Sequence, residues 1–192
     1  MIYQGLKLIN PLFLFTYIQG VYLFMKKILI HDLPHELSEE LFSSFKEDFL
    51  IIDANAKAAS CIGCFNCWLK EPGLCKFRDK LETVGQLILS SERLIIVSEM
   101  LYGGLSVPVK RIIDRSIPGI TPFFKKKFGK LHHLERYKTQ TDATVIFYNT
   151  EDATPEELTQ SKEYVKAMCI NYHARTHEVQ HLKTTDFSEV NL

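Results

Sequence analysis

The chain has 192 residues, 46% hydrophobic and 24% charged, the size and balance of one globular domain with a substantial core. Lysine plus arginine and aspartate plus glutamate both number 23, so no overall field recruits nucleic acid or an anionic membrane, and small molecules or proteins are the expected partners. Five cysteines, four of them within residues 61–75, exclude a disulfide scaffold and fit a reducing, cytoplasmic setting.

Residues 1–24 form an apolar extension with no acidic residue and one lysine, Lys7. The nearly uncharged run from residue 8 to 25 has about the minimum length of a membrane span, but Asn10, Pro11, Gln19 and Gly20 weaken it, and no small-residue cleavage site follows. Three readings stand: an upstream extension before a start at Met25, an anchor, or an extra packed element. As an anchor it would leave Lys26 and Lys27, and the domain over 25–192, on the cytoplasmic side.

"KKILIH" (26–31) is a short β-rich apolar run and predicts the first strand. Ser38, followed by two glutamates and by Leu41, Phe42 and Phe45, predicts a helix over 38–45. "FLIID" (49–53) predicts the second strand, with an irregular cysteine-bearing segment after it. Asp79 is placed to cap a helix running to Ser91, and "LIIVS" (94–98) reads as a strand buried on both faces. "LYGGLS" is a glycine-bearing loop, and Val109, Ile112, Ile113 and Ile117 mark a helix that Pro118 ends. Residues 119–141 hold no period and read as a long excursion. "ATVIFY" (143–148) is a strand, Thr154-Pro155-Glu156-Glu157 starts a helix reaching about Asn171, and residues 178–182 form the last strand.

Strands alternating with helices predict an α/β fold: a three-layer, five-stranded parallel sheet in the flavodoxin-like order 2-1-3-4-5. Ligands of such sheets lie beyond the carboxyl ends of the strands, which points to the segments after Ile30, Asp53, Ser98 and Tyr148. His31 and His35, flanking Asp32 after the first strand, could donate to a phosphate or relay a proton, or His31 could only satisfy a carbonyl. In "LYGGLS", Tyr102 could stack on a flat ring while Gly103 and Gly104 let the backbone approach.

The spacing of Cys61, Cys64, Cys67 and Cys75 is C-x2-C-x2-C-x7-C, with a Pro72-Gly73 turn that can bring in the fourth thiol. Four thiolates so spaced can hold a 4Fe-4S cluster or tetrahedral zinc, form a thiol-disulfide pair, or pack as small hydrophobes. Cys169, alone at helical spacing, reads as core. "KKKFGK" (125–130) could contact a nicotinamide cofactor's phosphates or a partner, but a charge run of this kind reads first as a solvated face, and nothing decides the roles of His132 and His133. Hydrolase and kinase chemistries find no Ser-His-Asp order, carboxylate pair or P-loop.

"CIGCFNCWLKEPGLC" and "LIIVSEMLYGGLSVPVKRIIDRSIP" resemble the NAD(P)H-dependent FMN reductase-like and iron-sulfur flavoprotein members of the flavodoxin superfamily. The resemblance implies an oxidoreductase with FMN lying across the strand ends, NAD(P)H as donor, a small-molecule acceptor and a homodimer. It also implies that Met100, Leu101, Tyr102, Gly103 and Gly104 run along the flavin ring. Asn149, Thr150 and Glu151 would contact its other side, and in the iron-sulfur branch the four cysteines hold a cluster. The family's Gly, Ser and Thr-rich phosphate loop is replaced here by "HDLPHELSEE", which has no glycine and four carboxylates. A flavin-less electron carrier or a metal-binding module is the alternative expectation.

Overall fold

The computed structural model describes residues 17–18, 21–22, 27–43, 47–127, 129–188 and 190. Most of the 1–24 extension lies outside the described residues; within it, Tyr17–Ile18 pairs antiparallel with Val21–Tyr22. Among the described residues no helix is long and apolar enough to cross a membrane.

The elements in chain order are β1 (Lys27–His31), α1 (His35–Phe42), β2 (Phe49–Asp53), α2 (Asn66–Leu69), α3 (Val84–Leu89), β3 (Arg93–Leu101), β4 (Gly104–Leu105), α4 (Val107–Arg115), β5 (Ile120–Lys127), β6 (Lys130–Glu135), β7 (Asp142–Tyr148), α5 (Pro155–Asn171) and β8 (Thr176–His181). The sheet runs β8-β7-β3-β1-β2, all parallel, with β4 folded back antiparallel on β3. Counting the five parallel strands alone, this is the flavodoxin-like order 2-1-3-4-5.

The central strands are β-branched runs because they are covered on both faces. Ile28, Ile30, Leu94, Ile96, Val145 and Phe147 face one layer, made by α3, α4 and α5. Leu29, Ile95, Val97 and Ile146 face the other, where Phe42 of α1 and Phe187 of the C-terminal tail complete the cover. Two helix starts follow their caps. Thr154 accepts from Glu157 N at 3.2 Å while the Glu157 carboxylate accepts from Thr154 N at 2.9 Å, with Pro155 at the first position. Ser106 caps α4 by accepting from Val109 N.

Four expectations change. The first helix begins at His35, not Ser38: Pro34, with φ of −52°, stands at its N-cap, and the Ser38 hydroxyl donates within the helix to His35 O. Residues 80–83 are turns and α3 starts only at Val84, the Asp79 carboxylate accepting from Leu81 N within the turn and from Ala59 N and Arg115 across the fold. The cysteine segment contains a short helix, α2. The excursion over 119–141 contains the antiparallel hairpin β5–β6, turned by Gly129 at φ +76°.

Candidate functional site

Two regions gather the predicted site residues. At the carboxyl edge of the sheet, β3 runs on past the other strands and doubles back through a two-residue turn into β4, with Leu101 opposite Gly104. Both turn residues have positive φ, Tyr102 at 50° and Gly103 at 73°, the backbone of a type I′ hairpin. A side chain at Gly103 would stand 2.7 Å from Glu157 O, so the glycine lets the hairpin rest on the first turn of α5. Tyr102 is 91% exposed at the tip, whereas Met100 is turned into the core. Across the strand ends, Asn149 at φ 56° donates to the Glu99 carboxylate at 3.0 Å, tying its loop to β3. Thr150 donates both its amide and its hydroxyl to Leu182 O, which anchors that loop to the chain after β8. Glu151 is exposed beside it.

The residues after β1 are arranged differently from the expectation. His31 is buried and packs on Phe42 with ring centroids 5.1 Å apart, in the layer beneath α1. Burial pushes its imidazole below the ordinary histidine value, against the pull of Asp53 and Asp32, so it stays uncharged. His35 is exposed as the first residue of α1. Asp32 turns its carboxylate onto β3, accepting from Glu99 N at 3.2 and 3.3 Å and from the hydroxyls of Ser106 and Tyr148. Burial raises the Asp32 carboxyl above its usual range, and burial with the Asp32 charge raises the Tyr148 phenol.

The second region is the cysteine segment. Cys61, Cys64, Cys67 and Cys75 all line one cavity of about 210 Å³, closed on its far side by Phe77 and by Arg115, Ile117 and Pro118 from the end of α4. Cys61 and Cys64 are exposed, Cys67 half-buried and Cys75 buried. Burial and the neighbouring thiol of Cys75 push the Cys67 thiol up. Among the described residues no group of three or more His, Cys, Asp or Glu side chains stands close enough to be a ready metal site.

Arg115 is the functional candidate that the sequence reading missed. Its side chain is 0% exposed, and it donates to Asp79 at 2.7 and 2.9 Å, Ala59 O at 2.8 Å and Phe77 O at 3.3 Å. It also contacts Cys75, and its Nε has no hydrogen-bond partner among the described residues. The signal was an arginine pair, Arg111 and Arg115, spaced i, i+4 on a helix whose buried face is otherwise apolar. Arg111 donates to Ala54 O and Ala56 O, so the two arginines run the segment after β2 along α4. Nine residues of α4 rise roughly 13 Å, and the cysteine cavity lies against its last turn, at the opposite end of the helix from Ser106 and the strand-end hairpin.

Packing fixes the remaining candidates. Trp68 donates its indole N–H to Ile120 O at 3.1 Å and meets His133 at 5.3 Å, seating the cysteine helix on the β5–β6 hairpin. His133 Nδ1 lies 2.7 Å from Thr121 O and His132 Nδ1 3.1 Å from Asn171 Oδ1, so both are engaged structurally. Cys169 is core, with burial pushing its thiol up to about 12. A larger cavity of about 590 Å³ lies beside β2, lined by Leu50, Ile52, Leu87 and Arg111 among others, and holds none of the predicted site residues.

A fit to the two implied cofactors divides accordingly. The cysteine cavity gathers the thiol donors that an iron-sulfur cluster takes, with the Arg115–Asp79 pair behind them, but among the described residues they do not stand together as a ready metal site. The strand-end hairpin offers a ring surface at Leu101 and Tyr102, but the segment after β1 does not fit a phosphate.

No protein-family model matches the chain. It is 32% identical over 77 residues to an iron-sulfur flavoprotein of Archaeoglobus fulgidus, covering 40% of this chain and 34% of that protein. It is 28% identical over 91 residues to an iron-sulfur flavoprotein of Methanocaldococcus jannaschii, covering 47% and 44%. The chain thus spans less than half the length of the curated relatives it matches. Among solved structures, an FMN-dependent NADH-azoreductase from Bacillus anthracis in complex with FMN superposes with a TM-score of 0.51 at 16% identity, over 86% of this chain and 92% of that one. A second azoreductase structure from Bacillus anthracis gives 0.50 at 14% identity over 86% and 90%. At such identities the structural likeness is one of fold. The chain therefore has a flavodoxin-like fold, and over less than half of its length it is similar in sequence to two iron-sulfur flavoproteins.

Proposed function

We propose that the chain is a flavodoxin-like oxidoreductase that uses a flavin, FMN by its resemblance, and NAD(P)H to reduce a small acceptor. In the same proposal Cys61, Cys64, Cys67 and Cys75 hold an iron-sulfur cluster, and the chain pairs as a homodimer. The observation that carries the redox reading is the convergence of all four cysteines on one cavity backed by Arg115. A cluster ligated by four thiolates is an anion, and Arg115, already paired with Asp79, would set an ion pair and its N–H groups beside it rather than a free positive charge. The cofactors would supply the electron chemistry. The chain's own part is to present Tyr102 and Leu101 on a hairpin clamped by Gly103, to tie Asn149 to Glu99, and to hold both ends of the cysteine segment.

The test is the visible spectrum of anaerobically purified full chain, with flavin, iron and sulfide measured on the same sample. Flavin bands together with a broad iron-sulfur absorption, the latter lost in Cys67→Ala, are the expected result. Absence of both, with no binding of added FMN, overturns the reading. The Asp32 arrangement favours a second reading, a cluster-bearing electron carrier without flavin, for which iron and sulfide would be found alone. One zinc per chain with no iron would make the cysteine site structural.

A further inference from the structure

The connection from β1 to α1 is three residues long, Asp32, Leu33 and Pro34. Leu33 is 1% exposed with its side chain in the core, and Pro34 has no N–H, so this connection offers at most two backbone amides. A phosphate carrying close to two negative charges needs a cradle of several amides or hydroxyls, or a cation. After β1 the further amides are those of the first turn of α1, which stand beside exposed His35 and the Glu36 carboxylate. His31 itself is buried under α1, and burial lowers its imidazole below the ordinary histidine value.

The donors that do exist at this point already serve an anion. Glu99 N from β3, the Ser106 hydroxyl at the N-cap of α4 and the Tyr148 hydroxyl at the end of β7 converge on the Asp32 carboxylate. These groups come from the ends of three strand segments that meet at the switch point of the sheet. The second carboxylate there, Glu99, is bound to Asn149. An incoming phosphate would find the strand-end donors taken and two carboxylates beside it, in a setting where burial strengthens repulsion.

We propose that the Asp32 carboxylate takes the place of the cofactor phosphate at the end of β1, so that this chain binds a flavin through its ring and gives no preference to FMN over the phosphate-free flavin, riboflavin. The inference rests on the flavin reading above and makes Asp32 the residue that sets its cofactor selectivity.

The experiment titrates FMN and riboflavin separately into the flavin-depleted full chain, following quenching of flavin fluorescence, for the wild type, Asp32→Ser and Asp32→Asn. In the wild type the two dissociation constants should agree within about threefold, a difference of well under 1.4 kcal/mol. Asp32→Ser removes the charge and frees Glu99 N, and should shift the ratio toward FMN by about tenfold or more. Asp32→Asn keeps the shape and should shift it the same way by less. Circular dichroism establishes that each variant is folded, and the wild-type ratio stands as a test even if neither variant is.

A wild-type preference for FMN above about tenfold overturns the inference and leaves the flavin reading intact. Binding of FMN by Asp32→Ser but of neither flavin by the wild type supports the blocking role of Asp32 and overturns the flavin reading for the native chain. Binding of neither flavin by any folded variant overturns both.

Discussion

Replacing Asp79 by asparagine removes one charge and leaves a wholly buried arginine without its counter-ion. Each carboxylate oxygen accepts twice: Oδ1 from Leu81 N at 3.0 Å and an Arg115 nitrogen at 2.7 Å, Oδ2 from Ala59 N at 3.0 Å and the other Arg115 nitrogen at 2.9 Å. An asparagine amide can accept through only one of these positions, so whichever way it turns, its NH2 faces two donors. Breaking a buried pair from one side costs about 3–5 kcal/mol, a large part of the 5–15 kcal/mol that typically holds a domain together. Ala59 O and Phe77 O still receive Arg115, which places the expectation for Asp79→Asn toward the lower end, near 3 kcal/mol. Urea unfolding should show a lower midpoint with an unchanged slope. The pH dependence gives a second readout. The Arg115 hydrogen bonds hold the Asp79 carboxyl well below the usual range, at about 2. A depressed carboxyl contributes stability that is complete above its unfolded value near 4 and is lost as pH falls toward 2, and here that contribution is about 2 kcal/mol. The variant should lack it, so its stability should fall less steeply between pH 4 and 2. Glu135 and Asp142, held at about 2 by Lys125 and Arg175, titrate in both proteins and cancel in the comparison. A loss below about 1 kcal/mol, with the acid limbs superimposable, would show that the backbone carbonyls alone satisfy Arg115 and would refute this account of the cysteine segment's anchor.

Gly103→Ala should cost about 1–3 kcal/mol in urea unfolding, because an alanine at φ +73° is strained and its methyl would press on Glu157 O at 2.7 Å. It should also weaken flavin binding by displacing Tyr102, and an unaltered affinity would show that the hairpin is no part of the cofactor seat. Combined with Asp79→Asn, the two losses should add to within about 0.5 kcal/mol, since the sites share no partner and lie at opposite ends of α4. A larger coupling in the double variant would mean that α4 transmits distortion between them.

The layout of the sheet was legible because strands buried on both faces are near-continuous apolar runs rich in β-branched residues, and Ile28 to Ile30, Leu94 to Val97 and Ala143 to Phe147 are such runs. The start of α5 was equally legible, since Thr154, Pro155 and Glu157 act within one turn and depend on nothing distant. The β5–β6 hairpin was not. Its register shifts between Ile120 and Phe124, and Phe123 and Phe124 are both exposed, so adjacent residues do not alternate between a wet and a dry face. The start of α1 was misplaced for a related reason. Ser38 has the chemistry of a cap, but its hydroxyl is used inside a helix that Pro34 had already begun.

The residues that matter most to the two sites were visible as letters and invisible as partners. Asp79 looked like a helix cap and Arg115 like the polar end of a helix, and only the fold shows that they meet across 36 positions. Asp32 looked like one more negative charge near a phosphate, whereas its carboxylate is drawn inward by donors from residues 99, 106 and 148. In both cases a charge is satisfied by groups distant in the chain, a pattern that no local window contains. The same feature explains the division of labour along α4. Its first turn begins with Ser106, which serves Asp32 at the strand ends, and its last turn places Arg115 against the cysteines. One helix therefore supports both candidate sites from its two ends, Ser106 at the strand ends and Arg115 at the cysteines, so each can be altered without disturbing the donors of the other.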